Sequence, residues 1–278
     1  MSNPRRMNLN YLLNKAYYDE VPYEAYHKEQ SEKELFSKYN NTLIEQEFRL
    51  SETSIPFADK ENQPFLLKTA YPGLLIGIGN THDAGIKYSG KEKNGAEIKL
   101  GFTLDYVTGL PVIPGSTVKG VLRSMFKYQP EYVAGELIKL GKEEIDLLTL
   151  WKNVFGSEDN YGKVVFFDAI PIFPGKNKRL FGLDNITPHP NPLKNPIPLS
   201  MLKIIPNVVF LFRFGFNYWN NENNVTSELL QKVFKRILLD LGIGAKTNVG
   251  FGAMELLIDE EEKILLKSPC YLKYSISI

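Results

Sequence analysis

The sequence predicts an α+β fold, an antiparallel sheet with helices packed on one face. Three observations point to it. Apolar strand-like segments and two amphipathic helical runs follow one another as strand, helix, strand, strand, helix, strand. The first of those helices is headed by turn chemistry, Pro114-Gly115-Ser116, and the second ends at Gly242. The composition, 43% hydrophobic and 23% charged, is that of an ordinary globular chain long enough to build such a core. The order is the split βαβ plan of ferredoxin-like folds, with a four-stranded sheet. Residues 61–278 are expected to form one such domain, and residues 1–60 a largely helical extension.

The elements follow in chain order. Residues 1–60 are polar and rich in Tyr, Asn and Glu, and about 27–50 reads as helix, with Leu35, Leu43, Ile44 and Phe48 as anchors. Residues 65–79 read as a β segment with a Pro-Gly bend. A loop over 80–100 carries Gly85, Gly90 and Gly95 among charges. Ser116 is the expected N-cap of a helix over Thr117–Lys127, whose Val118, Val121, Leu122 and Met125 share a face. A second helical stretch is expected near 136–154 and a strand over 162–172, GKVVFFDAIPI. Residues 173–200 hold six prolines, a density that excludes helix and central strand and predicts an extended or hairpin-like excursion. An apolar strand is expected over 203–217. A helix starts near Thr226 or Ser227, with Leu229, Leu230, Val233, Phe234, Ile237, Leu238 and Leu241 as its apolar positions. It ends at Gly242, and the glycine-rich stretch 242–252 leads to a last strand over 251–258. No internal repeat is visible.

Charge and cysteine content narrow the function classes. A formal net charge of +1 argues against a generally basic nucleic-acid binder, so any polyanion site must be a local patch. Cys270 is the single cysteine, which excludes an internal disulfide and a cysteine-rich zinc site. His27, His82 and His189 have no zinc-ligand spacing, and the expectation is no metal and no cofactor. Neither a secretory leader nor a membrane-spanning segment is legible, and a cytoplasmic location with no membrane partner is expected.

Two motifs carry the site expectations. On the first helix, Lys119, Arg123 and Lys127 fall at i, i+4 and i+8, and Ser116 and Gly120 continue the stripe toward the N-terminus. With Gly115 and Thr117 they offer backbone donors, the positive end of a helix dipole and cations, a set suited to a phosphate backbone. A solvated basic face on a capped helix has the same spacing. Gly120 tips the reading toward contact, because glycine inside a helix costs about 1 kcal/mol relative to alanine. Close approach of another backbone, protein or nucleic acid, would offset that cost.

The second motif is LGIGAKTNVGFG, 241–252. It is no P-loop: the position before Lys246-Thr247 is Ala245, Asp240 stands where the first glycine belongs, and the stretch runs from helix into strand. A C-cap needs only Gly242, yet Gly244, Gly250 and Gly252 follow. Together with Ala245, Lys246, Thr247 and Asn248, these glycines predict a backbone cradle for phosphates that reads no bases. In the proline-rich excursion, Lys178 and Arg179 belong to a stiff basic projection, and His189 is able to stack on a base or to pack between prolines. Catalytic residues are not predicted. His82-Asp83 reads as a hydrogen-bonded surface pair rather than an acid/base couple.

In this order the two motifs resemble the RAMP superfamily of CRISPR effector proteins. LPVIPGSTVKGVLR is similar to its PxIPGSSLKGxLR signature, and LGIGAKTNVGFG to its C-terminal glycine-rich loop. GAKTNVGFG after a long helix, with FFDAIPI followed by DNITPHP, is most similar to the subunit-six family of type III-B (Cmr) complexes. The resemblance covers roughly 65–260 and implies an RRM-related fold. It implies a non-catalytic subunit that binds guide RNA (crRNA) and caps the backbone filament near the crRNA 3′ end. The implied partners are crRNA, target RNA, the backbone RAMP subunits and the small subunit. The resemblance also implies that the excursion, with Lys178, Arg179 and His189, contacts RNA or an adjacent backbone subunit. Related backbone subunits cut target RNA with an aspartate between the first strand and first helix, where this chain has Asp83 and Asp105. Two alternatives stay open: a RAMP endoribonuclease, slicing target or processing crRNA with His82, and a nucleotide-binding enzyme using the glycine loop.

Overall fold

The structure, a computed structural model, describes residues 8–11, 15, 41, 44, 45, 47, 64–76, 99–100, 103–186, 199–216, 218–220 and 224–258. Its main sheet is built from β1 (Phe65–Thr69), β6 (Ile170–Phe173), β9 (Val209–Phe212) and β11 (Met254–Glu255). They lie in the order β11-β1-β9-β6, every neighbouring pair antiparallel. That is the ferredoxin-like order, so the expected fold class holds. Leu66 pairs with Leu211 and Leu67 with Phe210, which turns Leu67, Phe210 and Phe212 toward the helices. Leu66, Val209 and Leu211 turn the other way.

Four helices pack on one face. α1 (Gly115–Tyr128) buries Val118, Leu122, Met125 and Phe126, and α4 (Ser227–Leu241) buries Leu230, Val233, Phe234, Ile237 and Leu238. The Thr226 side chain accepts from the Leu229 amide at the start of α4, and Gly242 (φ +69) ends it, as expected. Phe126, Phe155, Phe166, Phe214 and Phe234 meet at the centre with ring centroids 5.1–6.2 Å apart. Each such ring contributes about 1.5–3 kcal/mol by burial, so this aromatic knot contributes strongly to the core.

Four expected boundaries are corrected. The single helix near 136–154 is two, α2 (Pro130–Lys139) and α3 (Leu147–Phe155). Gly141 at φ +85 turns the chain, and Asp146 starts α3 by accepting from the Leu148 and Thr149 amides. The strand over 162–172 splits: β5 (Val165–Phe166) pairs with β10 (Phe214–Gly215), and after Phe167–Ala169 the chain enters the main sheet as β6. The strand over 203–217 breaks at Pro206-Asn207, where Asn207 has φ +66 and the buried Thr69 hydroxyl bonds Ile205 O and the Val208 amide. The last strand is only Met254–Glu255, because Gly252 (φ +77) still belongs to the preceding turn.

The described limbs of the excursion pair as a hairpin, one of the two expected forms, and residues 187–198 lie outside the described residues. β7 (Phe181–Ile186) pairs antiparallel with β8 (Leu199–Ile204) from Phe181↔Ile204 to Ile186↔Leu199, and β2 (Lys99–Leu100) adds a parallel edge to β8. A smaller hairpin, β3 (Thr103–Leu104) with β4 (Pro111–Val112), leads into α1. Most of 27–50 and the 80–98 loop lie outside the described residues, although Ile44 packs on the core. Among the described residues no helix is long and apolar enough to cross a membrane.

Candidate nucleic-acid interface

Ser116 is not the N-cap. The helix begins two residues earlier than expected, at Gly115, with Pro114 in the cap position and its carbonyl accepting from the Thr117 and Val118 amides. Proline pre-sets the backbone there, and Gly115 fits because a Cβ on it would stand 2.1 Å from the Phe166 carbonyl oxygen. The first amide of the helix is held from a distance: the Gly115 amide donates to Asp168 Oδ1 at 2.7 Å. A carboxylate at the positive end of the α1 dipole is stabilising. Asp168, in the FFDAIPI segment, is therefore the residue that sequence reading missed. Its charge also favours the ionised form of Arg213, whose pKa burial pushes down. The Arg213 guanidinium stands 5.6 Å from the Phe167 ring centre.

Beyond that first donor the stripe is open. Ser116, Gly120, Arg123 and Lys127 are exposed, Lys119 is half-buried, and Val118, Leu122 and Met125 are buried on the face behind them. The cationic heads lie over aromatic rings: Lys119 over Phe166 at 5.8 Å, Arg123 over Trp151 at 5.4 Å and Lys127 over Tyr128 at 5.1 Å. Such contacts position a cation without neutralising it. Among the described residues none of the three pairs with a carboxylate. Gly120 separates the two explanations of a helical glycine, because a Cβ there would meet nothing within 4 Å. No described protein backbone approaches it.

The glycine-rich loop is shaped first by the protein. Gly242, Gly244, Gly250 and Gly252 all have positive φ. Cβ atoms on Gly244 and Gly252 would stand 2.2 and 1.9 Å from the Leu75 and Ile243 carbonyl oxygens. The Gly242, Ala245, Gly250 and Gly252 amides bond Leu238, Leu75, Thr247 and Gly73 carbonyls. Packing of Gly244 against Leu75, and of Gly242 and Gly252 within the loop itself, thus accounts for glycines that the sequence reading assigned to a phosphate cradle. What faces outward is the tip: Lys246, left-handed at φ +59, with Thr247, Asn248 and Val249, all exposed around a 3₁₀ turn. The amides of Lys246, Thr247 and Asn248 donate to no group among the described residues.

The two motifs do not form one pocket. Asp168, which holds Gly115, lies two residues before Ile170, which pairs with Leu211. The loop lies beyond the other end of the sheet, where Thr69 pairs with Met254 and the Ala70 amide meets Ala253 O. α1, about 21 Å long at 1.5 Å per residue, runs between these ends. Just past its C-terminus, Tyr132 donates to Asp240 at 2.5 Å, beside the loop. Burial and that hydrogen bond push the Tyr132 pKa up to about 12.

The remaining candidates are scattered. Lys178 is exposed on a left-handed turn (φ +57), while Arg179 is half-buried with its backbone bridged to Glu47. His82, Asp83 and His189 lie outside the described residues. Asp105 shapes its own turn, accepting from the Thr108 amide and hydroxyl, both at 2.6 Å. No cluster of three His, Cys, Asp or Glu suited to a metal occurs among the described residues. The sheet face away from the helices carries buried Leu66, Val209, Leu211 and Leu257, aliphatic where an RRM displays stacking aromatics.

The family profile described as the RAMP superfamily matches residues 66–255. The CRISPR system CMR subunit Cmr6 of Saccharolobus solfataricus is 32% identical, over 56% of this chain and 48% of that protein. The Cmr6 subunit of Pyrococcus furiosus is 28% identical, over 52% of this chain and 58% of that protein. The chain thus spans about half the length of the curated relatives it matches. Among solved structures, a chain of the type III-B Cmr-beta complex bound to cognate target RNA superposes with a TM-score of 0.54. It is 23% identical, and the match covers 92% of this chain and 93% of that one, a likeness of fold.

Proposed function

The chain belongs to the RAMP superfamily, and we propose that it is a non-catalytic, guide-RNA-binding subunit of a type III-B CRISPR complex. The observation that carries this reading is Gly120: a glycine in the exposed face of a helix, flanked by cations that pair with no carboxylate among the described residues, and with no described group within 4 Å of the Cβ it lacks. A polyanionic backbone passing close to α1 gives that glycine a purpose, with Lys119, Arg123 and Lys127 neutralising phosphates. The Lys246–Asn248 tip is a second phosphate contact at the far end of α1. Neither reads a base edge, as suits a subunit that must accept any guide sequence. The two Cmr6 relatives support the placement in a Cmr-type complex.

In that complex the chain caps the backbone filament near the crRNA 3′ end and helps to capture target RNA. Residues 61–278 act as one RAMP domain, with 1–60 as an extension. The test is reconstitution with the other type III-B subunits and a crosslinkable guide. Crosslinks from the guide to the 115–127 or 246–248 segments are expected, with no RNA cleavage by the isolated chain with or without divalent metal. A complex that assembles with crosslinks to neither segment would overturn the reading.

A further inference from the structure

We infer that Tyr71 is a base-stacking platform for single-stranded RNA lying across the glycine-rich loop. The inference rests on the RNA-binding reading above and adds a contact to the base, where the other contacts reach only the backbone. Tyr71 is 84% exposed, at the turn that follows β1. Exposed tyrosines also occur elsewhere, such as Tyr106 and Tyr161, so exposure alone distinguishes nothing. What sets Tyr71 apart is its surroundings. The Ala70 amide donates to Ala253 O at 2.9 Å, and the Gly252 amide donates to Gly73 O at 2.8 Å. A Cβ on Gly250 would lie 3.4 Å from Pro72 Cδ. Tyr71 is thus bracketed on both sides by residues that touch the returning limb of the loop.

The turn is also held from behind. Leu74 and Ile204 exchange both backbone hydrogen bonds, at 2.9 and 3.0 Å, and Gly73 (φ +121) lies where a Cβ would stand 2.2 Å from Ile204 O. The backbone carrying the ring is therefore fixed, and a tyrosine side chain has few rotors to order on binding. Across the loop, Gly250 bonds Thr247 O and Val249 bonds Lys246 O, so the tight turn carrying the exposed Lys246 and Val249 closes on the glycine that lies against Pro72. Lys246 has no carboxylate partner among the described residues. A π-face, an apolar flank and an unneutralised cation match one nucleotide of a single strand, its base on Tyr71 and its phosphate at Lys246. An acidic peptide would use the cation but leave the aromatic face idle.

The test uses the full chain and two fluorescent RNAs of equal length, one with bases and one abasic, read by anisotropy. Tyr71→Ala is expected to weaken the base-bearing RNA about 5- to 100-fold and to leave the abasic RNA unchanged. Tyr71→Phe should bind both as the unmodified chain does, and Lys246→Ala should reduce the salt slope by about one for both RNAs. Equal thermal melting of the variants controls for folding. If Tyr71→Ala binds the base-bearing RNA normally, or weakens both RNAs alike, the stacking role is overturned while RNA binding stands. If the unmodified chain binds neither RNA, the RNA reading falls and this inference with it. Normal RNA binding by Tyr71→Ala with failed entry into the complex would reassign the ring to a protein contact.

Discussion

Replacing Gly120 by alanine should make the protein more stable and a poorer RNA binder. The helix gains about 0.5–1 kcal/mol because alanine loses less backbone freedom on folding. No described group opposes the gain, since the added Cβ would meet none of them within 4 Å. For a chain of this size, 1 kcal/mol raises the melting temperature by about 2–4 °C. Gly120→Gln keeps good helix propensity and projects a longer side chain from the same surface. If the RNA backbone passes over Gly120, Gly120→Gln should lose at least about tenfold in affinity, about 1.4 kcal/mol, and Gly120→Ala a smaller part of that. Gly115→Ala is the contrasting case, because its Cβ would stand 2.1 Å from the Phe166 carbonyl oxygen. That substitution should destabilise by about 1–3 kcal/mol through backbone displacement. Thermal melts and anisotropy titrations with a labelled single strand measure both quantities. Gly120→Gln binding RNA like the unmodified chain would refute the assignment of Gly120 to RNA.

Asp168→Ala should destabilise by about 1.5–3 kcal/mol in urea unfolding, because it removes the charged acceptor of the Gly115 amide and a carboxylate that favours the charge of half-buried Arg213. Asp168→Asn, which keeps an acceptor, should recover part of the loss. Tyr132 has a folded pKa above its ordinary value, so the fold favours the neutral phenol. Its contribution is complete below pH 10 and is lost as pH rises toward about 12. The stability gap between the native chain and Tyr132→Phe, about 1 kcal/mol at pH 8 for this surface bond, should therefore narrow by pH 11.5. A constant gap would contradict the coupling to Asp240. Ile186 pairs directly with Leu199, so replacing 187–198 by Asn-Gly should leave the melting temperature within a few degrees. The same replacement should lower target-RNA capture by the assembled complex if the excursion contacts RNA.

The fold was legible where local chemistry and periodicity agreed. The α4 helix is bounded by Thr226 and Gly242, and its buried residues are nearly those the 3.6-residue spacing selects. The splits within 162–172 and 203–217 were not legible. Both segments are continuous in apolar composition, and the breaks come from tertiary bonds, such as the Thr69 hydroxyl holding the Pro206-Asn207 turn. The site divides in the same way. The cationic stripe follows from spacing alone, whereas Asp168 serves a helix whose first residue is fifty-three positions earlier. The glycines of 242–252 showed that something approaches closely, but glycine does not record what. For Gly244 and Gly252 it is the protein's own backbone. At Gly120, as at Gly135 and Gly141, no described group approaches within 4 Å of the absent Cβ.

The salt dependence of RNA affinity tests the central claim most directly. The full chain is titrated with labelled single strands of different sequence across a range of monovalent salt, beside Arg123→Ala. If Lys119, Arg123 and Lys127 neutralise phosphates, log affinity falls linearly with log salt by roughly 0.7 per phosphate contacted, similarly for every sequence. Arg123→Ala lowers the slope by about one and weakens all sequences alike. Affinity that does not change with salt, or a slope that Arg123→Ala leaves intact, would contradict a phosphate-binding α1.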